Sequence, residues 1–520
     1  MSVTGLARTC GVVLLGVEGH VVEVEADVST GVVGFTVVGM ADKAVGEARD
    51  RARSALVNSG LPWPTLKVTV ALSPAYLPKK GSNLDLPIAL ALLATQGGVP
   101  RDELVDVVSV GELGLDGRIR PVRGILVAAL AARAAGCRRL IVPHANLREA
   151  ELVPGLDIVG FHTILGLVAA LRDDPLPERE LAAELSAVNV AVPPPDSPPD
   201  LSDVRGQVAA RAALELAAAG GHHISMSGPP GIGKTLLAER IPGVLPDLDE
   251  QAALEVTSVH SVAGRLPAGQ LIRTPPFVAP HHTATHAAMV GGGSGVPQVG
   301  MISLAHHGIL FMDEAPQFDS RTIESLRQPL ESRTVTVARS AFTVRYPARF
   351  QLVLAMNPCP CGQDDSGRMG AGQRCVCTSQ QRRTYLSRIS GPLLDRVDVR
   401  VLLTRPTAAE LRDGSAESTA VVADRVLAAR QRAAQRLVDT PYRLNGDVPG
   451  WILRRRFPLL GEVARPVEQA LSKGLLSAQG ADRVMRLAWT VADLAGHDNP
   501  TLIDVGTALA YREPGTVNSL

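Results

Sequence analysis

The chain has 520 residues and is electrically balanced, with 52 basic and 52 acidic side chains. That length is more than one core fills and predicts two or three domains; zero net charge argues neither for nor against nucleic acid, so any basic surface must be local. Aromatics make up only 3%, which leaves no evident stacking platform for single strands. The longest apolar run, LPIALALLA from Leu86, is too short to cross a bilayer, and no signal pattern opens the chain. A soluble, cytoplasmic protein with no membrane partner is expected. Only six of the 52 basic residues are lysine, the mark of a GC-rich genome rather than of function.

From Val12 to Val70 the chain alternates, as in VVEVEADV and KVTVAL, with one helical pattern at KAVGEARDRARSALVNSG. Helices are predicted at LDLPIALALLA and GILVAALAARAAGC, followed by a strand at RLIVP. These form an α/β domain over residues 1–172. A linker, 173–202, contains the proline-rich VPPPDSPPD. The next domain, 203–404, opens at DVRGQ, and residues 405–520 turn mostly helical, notably at AVVADRVLAARQRAAQRL and around Arg483–Ala495.

Residues 225–235 read SMSGPPGIGKT, between an apolar strand and an amphipathic helix. Gly228, Gly231 and Gly233 allow turns that a Cβ would block, so successive N–H groups can face one anion-sized hollow. With Pro229, Pro230, Ile232 and Leu236 they complete a nucleotide loop, in which Lys234 would reach the β- and γ-phosphates and Thr235 would hold Mg²⁺. About eighty residues on, the buried strand ILFM ends in Asp313-Glu314. Asp313 would hold Mg²⁺ through water, and Glu314 would polarise the attacking water. A third strand, FQLVLAMN, ends at Asn357, which suits a sensor between the γ-phosphate and Glu314. In RISGPLLDRVDVR, Arg396 makes either a surface ion pair or, in a ring, a finger into a neighbour's site.

GPPGIGKT, ILFMDE, AMNPCPCG and SGPLLDRVD, in that order, resemble the magnesium-chelatase-like AAA+ proteins of the ComM/YifB group, over roughly Gly5 to Arg512. The resemblance implies a homo-hexameric ring with ATP and Mg²⁺ at subunit interfaces and Arg396 acting in trans. For the ComM branch it further implies a DNA helicase that drives branch migration in recombination of incoming DNA. An ATPase subunit of the magnesium-chelatase type, remodelling a partner protein for metal insertion, is the alternative. The family's lid motif LSAR reads LSAQ here, so Gln479 stands where a second sensor arginine is expected. Arg483 or Arg486 either replaces it or is an ordinary surface charge.

TVTVA and AFTVR alternate around Arg339-Ser340 and read as a β-hairpin, decorated by Arg333, Arg339, Arg345 and Arg349. In related ring helicases such a hairpin reaches the pore, which would place Arg339 on DNA phosphates. Cys359, Cys361, Cys375 and Cys377 form two C-x-C pairs suited to structural Zn²⁺, with a redox pair or buried thiols as alternatives. His281-His282 and His306-His307 show no carboxylate–histidine pattern nearby and read as structural. LSPAYLPKKGSNLDLPIA and GELGLDGRIRPV resemble the Lon-protease fold, whose serine and lysine would fall on Asn83 and Leu126. Ser82 lies one residue away, and Lys79 and Lys80 are the nearest bases. The domain is expected to be proteolytically inert.

Overall fold

A computed structural model describes residues 5–39, 43–79, 81–178, 180–181, 199–266, 269–293, 297–338, 343–362, 375–412 and 416–512. The fold is mixed α/β, built on two principal sheets with a helical C-terminal region.

The first sheet has seven strands and starts from a long antiparallel hairpin, Gly5–Leu15 against Glu18–Ser29. Val22, Val24, Ala26 and Val28 face inward at every second position, as the period of a half-buried strand requires. Lys67–Ser73 continues the antiparallel pairing, while Val107–Ser109, Arg139–Pro143 and Asp157–Phe161 extend the other side in parallel. Helix Asp85–Thr95 is apolar on every face because it is buried on every face, between two core clusters of this region. The longest apolar run of the sequence is therefore a core helix, and no helix among the described residues is long and apolar enough to cross a membrane.

The second sheet is fully parallel, in the order Phe277–Val278, Ile309–Met312, Gln351–Met356, Ile224–Ser227, Val399–Leu402. Ile309–Met312 and Gln351–Met356 are buried at every position, the pattern of strands covered on both faces. Non-sequential order brings three segments distant in sequence side by side. The strand ending at Asn357 lies between the strand that feeds the phosphate loop and the one that ends at Asp313-Glu314. Ligands in parallel sheets bind outside such carboxyl ends.

Helices Thr419–Arg436, Ala478–Ala495 and Leu502–Arg512 share a core with helix Val208–Gly220 and this sheet. A buried polar network pins them. Asp398 meets His222 at 3.1 Å and Arg483 at 2.6 Å, while His222 and Asn445 both reach the Thr490 hydroxyl, at 2.8 and 3.0 Å. Burial alone would push the Asp398 carboxyl up, but Arg483 and His222 hold it well below the usual range. The two sheets are joined where helix Ile125–Ala134 meets helix Glu250–Val262, with the Gly124 N–H donating to the Ser261 carbonyl at 3.2 Å.

Candidate functional site

The phosphate loop owes its path to its glycines. Gly231 and Gly233 adopt φ of +73° and +97°, and a Cβ on Gly228 would lie 2.9 Å from the Leu403 carbonyl oxygen. Lys234 opens the following helix and is buried, its ammonium donating to the carbonyls of Gly228 (2.6 Å) and Pro229 (2.9 Å) and to Asn357 Oδ1 (3.0 Å). Burial lowers its pKa, while Asp313 and Glu314 oppose that shift. The Thr235 hydroxyl donates to Asp313 Oδ2 at 2.9 Å. Four predicted residues thus converge at the carboxyl edge of three adjacent strands. Glu314 stands beside them at φ +50°, a left-handed backbone costing a non-glycine residue about 1–3 kcal/mol.

Two neighbours escape sequence reading. The His282 ring nitrogen Nδ1 lies 3.6 Å from Glu314 Oε2. Gln207 donates to the Thr404 carbonyl at 2.8 Å and reaches the Ile232 carbonyl of the loop at 3.4 Å. His306 and His307 also have a carboxylate, since both Nε2 atoms lie 3.1 Å from Glu255 Oε2. The expectation that these histidine pairs lack a carboxylate is therefore corrected. Their partners come from elements dozens of residues away. His306 Nδ1 accepts the Arg349 N–H at 3.0 Å, which leaves its proton on Nε2, aimed at Glu255. That proton makes His306 an anchor for Glu255, and the ligand atoms of Glu255, His306 and His307 lie within 4.8 Å of one another.

The four cysteines come together. Cys359 Sγ lies 3.3 Å from Cys361 Sγ and 3.5 Å from Cys375 Sγ, Cys361 and Cys375 are 3.6 Å apart, and all four sulfurs lie within 4.8 Å of one another. Tetrahedral zinc with bonds of about 2.3 Å separates its sulfurs by about 3.8 Å, whereas a disulfide needs about 2 Å. The donor set fits a zinc ion.

Three models of one family match in succession: Subunit ChlI of Mg-chelatase over residues 24–146, Magnesium chelatase, subunit ChlI over 200–411, and its C-terminal region over 416–512. An uncharacterised protein of Mycobacterium tuberculosis is 46% identical over 98% of this chain and 99% of its own. YifB of Escherichia coli is 40% identical over 96% and 95%, and the competence protein ComM of Haemophilus influenzae 38% over 96% of each chain. The chain belongs to the ComM/YifB-type, magnesium-chelatase-like AAA+ family. A shorter match, 31% identical over 153 residues and 28% of this chain, is to a Lon protease of Chloroflexus aurantiacus. The architecture is thus a Lon-like α/β region, a P-loop AAA+ core and a helical C-terminal region.

Arg396 lies apart from the nucleotide cluster of this AAA+ core. Its guanidinium pairs with Glu331 and donates to the Pro392 carbonyl at 2.6 Å. It lines a cavity of about 350 Å³ with Gln479, Arg483 and Arg486, which includes no residue of the phosphate loop. Arg483 donates to the Arg396 carbonyl at 3.1 Å, and Arg486 to the Val448 carbonyl at 2.7 Å, so neither is a plain surface charge.

The hairpin is present as Thr334–Ala338 against Thr343–Pro347, and Arg339 lies outside the described residues. Two of its arginines meet an acid from outside the hairpin. Arg333 and Arg349, at its base, donate to the two oxygens of Asp447 at 2.7 and 2.6 Å. Asp447 is a hundred residues away in sequence, and Arg345 alone of the three described is exposed. In the Lon-like region the Ser82 hydroxyl pairs with Glu112, the Lys79 ammonium with the Pro74 carbonyl, and Leu126 is fully buried.

Proposed function

We propose that this chain is an ATP-hydrolysing ring motor that acts on DNA, in the manner expected of the ComM branch. The observation that carries the reading is the convergence of Lys234, Thr235, Asp313 and Asn357 at one sheet edge. Lys234 and the loop N–H groups hold the phosphates; Thr235 and Asp313 hold Mg²⁺; Glu314 orients the water; Asn357 senses the γ-phosphate. Arg396 lies outside the nucleotide cluster, in keeping with a finger that reaches a neighbouring copy in a homo-hexamer. The Lon-like region acts as a ring-assembly or DNA platform, and Cys359, Cys361, Cys375 and Cys377 hold one structural Zn²⁺ per subunit.

Similarity to the competence protein ComM along nearly the whole chain supports the DNA step, with Arg339 as its phosphate contact. The test is the ATPase rate with and without forked, single-stranded and duplex DNA, alongside a salt titration of DNA binding for wild type and Arg339→Ala. Stimulation by DNA, with a shallower salt slope in the variant, is expected. Indifference to every DNA would favour the magnesium-chelatase type of partner remodelling, which the matched family descriptions support. Elemental analysis giving about one zinc per subunit tests the cysteine reading.

A further inference from the structure

Strand Gln351–Met356 ends at Asn357, and the cysteine cage begins two residues later at Cys359, which is 1% exposed. The chain then turns at Gly362, with φ of +74°. Here the backbone presses on the nucleotide site. A Cβ at Gly362 would lie 2.9 Å from Pro230 Cδ of the phosphate loop and 3.9 Å from the side-chain Cγ of Asn357.

The returning arm reaches the same place. Cys377 is followed directly by Thr378, which starts helix Ser379–Leu386 with a capping box closed by Gln381. That helix carries the buried Tyr385, which lies beside the Asn357 backbone. Both arms of the cage therefore come close to Asn357, whose Oδ1 accepts from the Lys234 ammonium at 3.0 Å. Pro360, Thr378 and Tyr385 also line a cavity with His282, the ring beside Glu314. A metal held by Cys359, Cys361, Cys375 and Cys377 would tie the two arms together directly.

We propose that the four-cysteine cage, through Gly362 and Tyr385, positions the sensor Asn357 and the phosphate loop, so that metal in the cage sets the rate of ATP hydrolysis. The proposal rests on the zinc reading above and goes beyond it, because a merely structural zinc predicts no selective effect on turnover. Tyr385 and Gly362 are positioning residues: they act through Asn357 and Pro230. Misplacing a catalytic group by about 1 Å can cost about 10²-fold in rate, so small shifts at Asn357 are enough.

The experiment uses the full-length protein and four readouts: zinc content, affinity for a fluorescent ATP analogue, kcat and KM. Tyr385→Phe is expected to keep its zinc and its nucleotide affinity while kcat falls about tenfold. Gly362→Ala is expected to keep its zinc and lose at least as much kcat, since the new methyl displaces Pro230. Cys375→Ser combined with Cys377→Ser should lose both zinc and turnover. In the wild type, a thiol reagent that releases zinc should stop hydrolysis, and thiol reduction with added Zn²⁺ should restore it. Wild-type kcat in both Tyr385→Phe and Gly362→Ala, or in a folded zinc-free cysteine variant, overturns the coupling and leaves the zinc site standing. Wild-type protein that contains no metal overturns the zinc reading and the metal control with it, and Tyr385→Phe then decides whether the arms position Asn357 at all.

Discussion

Two turns of this chain offer a lysine, a hydroxyl and a carboxylate within a few residues or a short reach, and they put them to opposite uses. At the phosphate loop, Lys234, Thr235 and Asp313 point at one place, together with Asn357 from the strand between them. At 79–85 in the Lon-like region, each group is taken by a partner of its own: Lys79 by the Pro74 carbonyl, Ser82 by Glu112, Asp85 by Arg51. The second turn has the residue types of a hydrolase without their convergence. Its Asp85 is 1% exposed and receives Arg51 through two bonds, at 2.6 and 2.8 Å, plus the Leu113 N–H at 3.2 Å. Reactive residue types become a site only when the fold leaves them facing each other, and Asp85 instead locks helix Asp85–Thr95 to helix Lys43–Asn58.

The comparison breaks most sharply at the nucleotide edge. Lys234→Ala should abolish measurable ATP turnover, and Glu314→Gln should keep nucleotide binding while kcat falls by about 10³-fold. Undiminished hydrolysis in Glu314→Gln would move the water-orienting base elsewhere. Arg396→Ala should bind ATP yet hydrolyse it about 10³-fold more slowly, and mixing it with Lys234→Ala subunits should recover part of the activity. Mixed rings that stay inactive would argue that Arg396 does not work across an interface.

On the other side of the comparison the effects move from rate to stability. Arg51→Ala leaves Asp85 buried without its counter-ion and should cost about 3 kcal/mol in unfolding experiments. Burial already holds the Asp85 pKa above its ordinary value, with Arg51 opposing, so the substitution raises it further. An acid whose pKa is raised on folding destabilises the fold at higher pH. The deficit of the variant should therefore be full above its own raised pKa and shrink as pH falls from there to the wild-type pKa, below which the carboxyl is protonated in both proteins. A deficit that stays constant from pH 8 to about 4 would assign the loss to packing instead. Smallest of all, Ser82→Ala should change stability by about 1 kcal/mol and leave ATP hydrolysis per subunit unchanged. A drop in turnover there would mean that the Lon-like turn feeds the motor.

Much of the nucleotide edge was legible because its chemistry is local. Phosphate needs contiguous N–H groups on glycine-permitted backbone, so GPPGIGKT carries its own geometry, and all-apolar strands ending in Asp313 or Asn357 declare both burial and direction. The strand and helix periods held as well: LDLPIALALLA matches the buried helix Asp85–Thr95 to within a residue, and AVVADRVLAARQRAAQRL matches Thr419–Arg436 with Leu437 as its C-cap. What was missed shares one cause. His282 with Glu314, His306 and His307 with Glu255, and Arg333 and Arg349 with Asp447 are pairs whose members lie far apart along the chain. No spacing rule reaches them, because each pairing depends on how the strands are ordered in the sheet.

By itself the sequence determined the family, the phosphate loop, the carboxylate pair and the cluster of four cysteines, since each is a short run whose residue types are legible without the fold. Tertiary structure decided which groups share a cavity. Strand order places Asn357 between Lys234 and Asp313, and the helical C-terminal region gathers Arg396, Gln479, Arg483 and Arg486 around a separate cavity. The same folding brings Gly362 and Tyr385 back beside Asn357. Hydrogen bonds and packing act over a few ångströms of space, whatever the separation along the chain.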